Sequence, residues 1–161
     1  MHISYAYSDT MTWEFEHSIE TNARKEEIWA LYSNIESWPL WDQGIESVSL
    51  EGEFKDGAQG KIKLVGQGLL SYRITMADPN KGFSNETVIY GLNATVKFLH
   101  TFSDMLDGKI MLINHVTVAC PDNELIENEI GEGITSGIPN TMANIARMVI
   151  FMEKYTDLNE V

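Results

Sequence analysis

The chain of 161 residues predicts an α+β fold in which a curved, seven-stranded antiparallel sheet wraps a long C-terminal helix, with two short helices after the first strand. Three features of the sequence carry this expectation. One cleanly alternating strand opens the patterned region, short β-like runs between turn residues fill the middle, and a helical stripe ends the chain. Short loops between the strands demand antiparallel pairing, because parallel neighbours need long crossovers.

The first strand is Trp13-Glu14-Phe15-Glu16-His17-Ser18-Ile19-Glu20, where Trp13, Phe15, His17 and Ile19 share one face and the glutamates the other. Asn22 then offers a helix N-cap, and Glu26 and Glu27 suit the positive end of the helix dipole. Ile28, Leu31, Tyr32 and Ile35 recur at helical spacing, so an amphipathic helix runs to about Asn34. Ser37-Trp38-Pro39-Leu40-Trp41-Asp42 is too short and too interrupted for a long helix and reads as a short second helix or turn. Six further strands follow: Ile45–Leu50, Gly60–Val65, Leu69–Met76, Glu86–Tyr90, Ala94–Phe102 and Lys109–Ala119. Asp78-Pro79-Asn80-Lys81-Gly82 and Asp107-Gly108 are the strongest turn signals between them.

Ile126, Ile130, Ile134, Ile138, Met142, Ile145, Val149 and Met152 recur about every 3.7 residues, which keeps them on one helical face. A helix from Asn123 to Tyr155 would span on the order of 50 Å. Pro139 removes a backbone donor inside that run, so a kink or break is expected there, with Gly131, Gly133 and Gly137 weakening the half before it.

Composition narrows the function classes. Eleven basic against 24 acidic residues leave a net charge of −13, which repels phosphate and anionic headgroups, so neither nucleic acid nor membrane is expected as a partner. One cysteine, Cys120, excludes an internal disulfide. Met1 to Thr12 has no basic start and no apolar run, so it does not read as a signal peptide, and a cytoplasmic setting is the expectation. Gly131-Glu132-Gly133 lacks the lysine and spacing of a phosphate loop, and no nucleophile or zinc-protease motif is present.

A strongly curved sheet and a straight helix cannot touch everywhere, so a cavity between them is expected, with its mouth near the short helix and the strand loops. The chain resembles the helix-grip superfamily, known as SRPBCC or START-like, which includes the birch-pollen-allergen (Bet v 1-like) fold and, closest here, the polyketide cyclase/dehydrase-like proteins. The resemblance is carried by Glu27-Ile28-Trp29-Ala30-Leu31-Tyr32-Ser33-Asn34-Ile35-Glu36-Ser37-Trp38-Pro39-Leu40-Trp41-Asp42, by Lys109 to Val118 with His115 inside it, and by the helix that follows. It covers roughly Thr12 to Tyr155, and 1–161 reads as one START-like domain. It implies binding of a small hydrophobic, lipid-like ligand in the cavity. Two alternatives are a polyketide cyclase/dehydrase-type enzyme using a pocket histidine or tyrosine, and a co-chaperone-like interaction module. The oligomeric state is open, a dimer included.

Strand parity then nominates site residues. Tyr72, Ile74 and Met76 share a face with Leu70, and Phe98 and His100 share a face with Val96 and Phe102. In the last strand Ile110, Leu112, Val116 and Val118 compete with Met111, Ile113, His115 and Thr117, and the resemblance at His115 favours the second set. With Trp41 at the mouth and Ile138 and Met142 on the helical stripe, the expected ligand-binding set is Trp41, Tyr72, Ile74, Met76, Phe98, His100, Ile113, His115, Ile138 and Met142. His100 and His115 are the candidates for proton transfer, although each has the ordinary alternative of a histidine satisfied by a neighbour. His17, His100 and His115 lie on three strands without paired spacing, so no metal is expected, and no cofactor.

Overall fold

The computed structural model describes residues 12–121 and 123–159, with side chains through residue 149. The side chain of Met152, the last member of the expected stripe, and the amino-terminal segment before Thr12 lie outside the described residues. The elements run β1 (Thr12–Thr21), α1 (Lys25–Ser33), a 3₁₀ turn (Ile35–Ser37), α2 (Trp38–Trp41), β2 (Ile45–Leu50), β3 (Gln59–Leu64), β4 (Leu69–Asp78), β5 (Gly82–Ile89), β6 (Ala94–Asp104), β7 (Ile110–Ala119), α3 (Glu124–Thr135) and α4 (Ile138–Asn159). All seven strands form one sheet in the order β1-β7-β6-β5-β4-β3-β2, and every pairing is antiparallel. β2 to β7 is the expected meander. β1 and β2 sit on opposite edges, so α1 and α2 carry the chain from one edge to the other.

Register fixes which side chains share the concave face. Phe83, His100, Asn114 and His17 form one row across β5, β6, β7 and β1, and Thr87, Val96, Val118 and Trp13 form another. In β7 this places Leu112, Asn114, Val116 and Val118 inside and Met111, Ile113, His115 and Thr117 on the convex side. The expectation that Ile113 and His115 face inward is therefore corrected. Both faces of β7 carry apolar residues, so parity alone could not choose; pairing with the Trp13-Phe15-His17-Ile19 face of β1 does. Met76 is corrected too. The register of β4 against β5 shifts between Ile74 and Met76, and the bulge sends Met76 to the convex side opposite Ser84. Ala77 takes the inward place opposite Phe83.

The first helix begins later than expected. Arg24, not Asn22, is its N-cap residue, and the Arg24 backbone N–H donates to the Glu27 carboxylate at 2.9 Å. The C-terminal helix is two helices, with Ser136 and Gly137 between them. Pro139 is the second residue of α4, where its missing N–H costs nothing because that donor would have no helical partner. The break therefore precedes the proline rather than sitting on it. α3 lies across β1 and β7, while α4 touches β1, α1 and α2. No helix among the described residues is long and apolar enough to cross a membrane.

The contact of α3 with β1 depends on a missing side chain. A Cβ at Gly131 would lie 2.3 Å from the Trp13 indole, which is itself stacked on Phe15. Gly131→Ala gains up to about 1 kcal/mol of helix propensity but forces the indole aside, which costs about 1–3 kcal/mol. A net loss of stability is expected in urea denaturation, with much of it recovered in the Gly131→Ala/Trp13→Leu double variant. A single variant as stable as the parent would refute the tight contact.

Candidate ligand cavity

Aromatic packing makes one end of the concave face solid. Trp38 stacks on Phe83 at 5.3 Å, Phe83 on His100 at 4.4 Å, and Tyr32 meets Trp41, Phe83, His100 and Phe102 at 5.1–6.1 Å between ring centroids. Local hydrogen bonds hold this plug in place. Trp38 Nε1 donates to Tyr32 O at 2.9 Å and Trp41 Nε1 to Ser37 Oγ at 3.1 Å. Asn144 of α4 donates to Trp41 O at 3.3 Å, which ties the last helix to the plug.

Beyond the plug the interior is hollow. A cavity of about 580 Å³ lies between the concave faces of β3 to β6, the α2 turn and the junction of α3 with α4. Its walls are chiefly apolar: Ile62, Leu64, Leu70, Ile89, Val96 and Phe98 from the sheet, and Ile130, Ile134 and Ile138 from the helices. Gly133 and Gly137 border it as well, and a Cβ at either would meet no heavy atom within 4 Å. A second hollow of about 590 Å³ over residues 51–59 is an open surface depression lined by Glu51, Glu53, Lys55 and Asp56, without the apolar walls of a ligand site.

Of the residues nominated from sequence, Trp41, Tyr72, Phe98, His100 and Ile138 line the cavity. Ile74 and Met142 are buried in the core beside it rather than on its wall. Met76, Ile113 and His115 are on the far side of the sheet, where His115 Nδ1 lies 3.3 Å from Glu16 Oε1. The three histidines do not converge: His17 shares the row of His100 but sits on edge strand β1, two strands away. Among the described residues no group of three His, Cys, Asp or Glu side chains has a metal-binding arrangement.

Sequence reasoning missed Asn85, Thr87 and Asn114, three buried polar residues on the cavity wall. The available signal was register: Asn114 lies directly opposite His100, and the His100 Nδ1–H donates to Asn114 Oδ1 at 2.9 Å. That tautomer leaves Nε2 as an acceptor. Burial among rings pulls the His100 pKa down to about 4, the bond to Asn114 opposing, so the imidazole is neutral near pH 7. Burial likewise raises the Tyr72 hydroxyl to about 12 while its O–H donates to Ser49 O at 2.8 Å. Asp42, at the mouth, has its carboxyl raised by burial, opposed by a hydrogen bond from the Gly44 N–H at 2.9 Å.

No family model matches the chain, and no curated protein matches it by sequence. Solved structures do. A norcoclaurine synthase point mutant from Thalictrum flavum, in complex with a transition-state analogue, superposes with a TM-score of 0.69 at 14% identity over 89% of this chain and 98% of that one. Ara h 8.0201 gives 0.69 at 16% identity over 87% and 99%. Norcoclaurine synthase from Thalictrum flavum in complex with dopamine and hydroxybenzaldehyde gives 0.65 at 14% over 88% of each chain. The fold is the Bet v 1-like helix grip. In helix-grip terms the grip is the seven-stranded sheet, and the gripped element is the broken α3–α4 pair.

The buried imidazole makes stability depend on pH. An unfolded histidine titrates near 6.5 and the native His100 near 4, so between those values only the unfolded chain takes up the proton. The contribution of His100 is complete above about pH 6.5 and is lost as pH falls, reaching about 3 kcal/mol at pH 4. Urea midpoints measured from pH 7 to 5 are expected to fall less steeply in His100→Gln than in the parent chain. Parallel curves would mean that His100 is not buried neutral.

Proposed function

We propose that the chain binds a small, largely apolar molecule in the cavity between the sheet and the α3–α4 junction. The observation that carries this reading is the cavity itself, about 580 Å³ of apolar-walled space in a chain of ordinary length. Apolar ligand surface buried there contributes about 25 cal/mol per Å² before the costs of association are subtracted. Trp41, Tyr72, Phe98, His100 and Ile138 would contact the ligand, and Gly133 and Gly137 would border its way in. A solved structure of the same fold, norcoclaurine synthase, holds dopamine and hydroxybenzaldehyde, which supports a small-molecule reading.

A second reading, proton transfer of the cyclase/dehydrase type, is favoured by one observation. His100 is on the cavity wall with Nδ1 committed to Asn114 and Nε2 left as an acceptor. Its pKa of about 4 ranks it below the first reading, because a general base works best when its pKa lies near the operating pH. The interaction-module reading expects a filled interior, and the cavity counts against it.

Gly133→Phe separates cavity binding from a surface role. The new ring meets nothing at its Cβ, and replacing glycine favours the helix, so the fold should survive. Binding of the uncharged dye Nile red, followed by fluorescence, is expected in the parent and at least about tenfold weaker in the variant, with no drop in melting temperature. Absence of dye binding in the parent, or equal binding in both, would overturn the proposal. Native mass spectrometry of freshly purified protein would identify any molecule carried along.

A further inference from the structure

On the sheet side of the cavity wall, few buried polar residues have hydrogen-bonding capacity to spare. Asn85 and Thr87 are successive inward residues of β5, and His100 is the diagonal neighbour of Asn85 on β6. Diagonal and next-but-one neighbours on one sheet face are about 7 Å apart, so one ligand group can reach both His100 and Asn85, while Thr87 lies a further step along β5, away from His100. The three are 8%, 7% and 8% exposed. Among the described residues the Asn85 and Thr87 side chains have no hydrogen-bond partner, although both line the cavity. His100 has spent its one N–H on Asn114. The unspent capacity is therefore an amide, a hydroxyl and a ring acceptor, all uncharged. Their polar atoms open onto the cavity, where water or a ligand group can satisfy them.

The charged residues on the wall are Asp42 and Glu129, both carboxylates, and among the described residues no lysine or arginine lines the cavity. A carboxylate entering this cavity would give up its hydration without gaining a cation, inside a chain whose net charge is −13.

We propose that Asn85 and His100 read an uncharged hydroxyl on the ligand, and that the cavity rejects the carboxylate of a fatty acid or aromatic acid. The hydroxyl donates to His100 Nε2 and accepts from Asn85 Nδ2. The inference rests on the cavity being a binding site.

Three matched probes test it: 2-naphthol, 2-methoxynaphthalene and 2-naphthoate, each competing with Nile red at about pH 7.5. In the parent, 2-naphthol is expected to compete about tenfold better than 2-methoxynaphthalene, which cannot donate, and better still than 2-naphthoate. Within His100→Phe, which keeps a ring on Phe83 but removes the acceptor, the preference for 2-naphthol over 2-methoxynaphthalene is expected to shrink to about threefold or less. That comparison is internal to the variant, so a general loss of affinity does not mimic it. Asn85→Leu, in contrast, is expected to weaken both probes together, since both oxygens accept from Asn85. If 2-naphthoate matches 2-naphthol in the parent, if His100→Phe keeps the full preference, or if Asn85→Leu binds both probes as tightly as the parent, the inference is overturned while the cavity reading stands. If neither Nile red nor any probe binds the parent, the cavity reading fails and takes the inference with it.

Discussion

The stack of Phe83 on His100 decides where this molecule is solid and where it is hollow. Both residues point inward from the middle of a curved sheet, and their 4.4 Å parallel contact forms a floor on which Tyr32 and Trp38 can land. Each aromatic pair adds about 0.5–1.5 kcal/mol beyond the area it buries, and several such pairs meet here. The plug fixes α1 and α2 over one end of the sheet. α3 is committed to the β1–β7 edge by the Gly131–Trp13 contact, so neither part can cover the wall between them. The cavity is what these two commitments leave.

A histidine in that floor must stay neutral, and the Asn114 amide is what makes this workable. A buried imidazole with an unbonded N–H would lose about 1–3 kcal/mol, and a buried imidazolium far more. Asn114 accepts the one N–H, and the surrounding rings make the second proton expensive. Stability and chemistry are coupled at this residue: the environment that permits the stack also gives the cavity wall a neutral acceptor instead of a cation. A ligand bound as proposed would meet a wall that can share hydrogen bonds but cannot neutralise a negative charge.

Much of the fold was legible because its signals are local. Alternation in Trp13 to Glu20, turn residues at Asp78–Gly82 and Asp107-Gly108, and the stripe from Ile126 to Val149 each follow from a period or a backbone preference. The errors arose where structure depends on a partner strand. β7 carries apolar residues on both faces, so its orientation rests on its register with β1 and β6. The bulge that turns Met76 outward is one extra residue in β4, invisible to a period-two reading. Asn85, Thr87 and Asn114 were overlooked because a polar residue in a strand normally reads as the solvent face. Only pairing reveals that they sit inside.

The glycines ahead of α4 repeat this distinction between residues required by packing and residues that serve something else. Gly131 has a structural reason, since any side chain would strike Trp13. Gly133 has none: space is open around it, its helix would be about 1 kcal/mol more favourable with alanine, and its backbone adopts no left-handed conformation. It lies on the rim of the cavity, one turn before the Ser136–Gly137 break, where a larger side chain would narrow the way in. A stability loss with no packing return, on the border of the cavity, is what the proposed binding there would account for. The interruption at Ser136 and Gly137 falls beside the cavity.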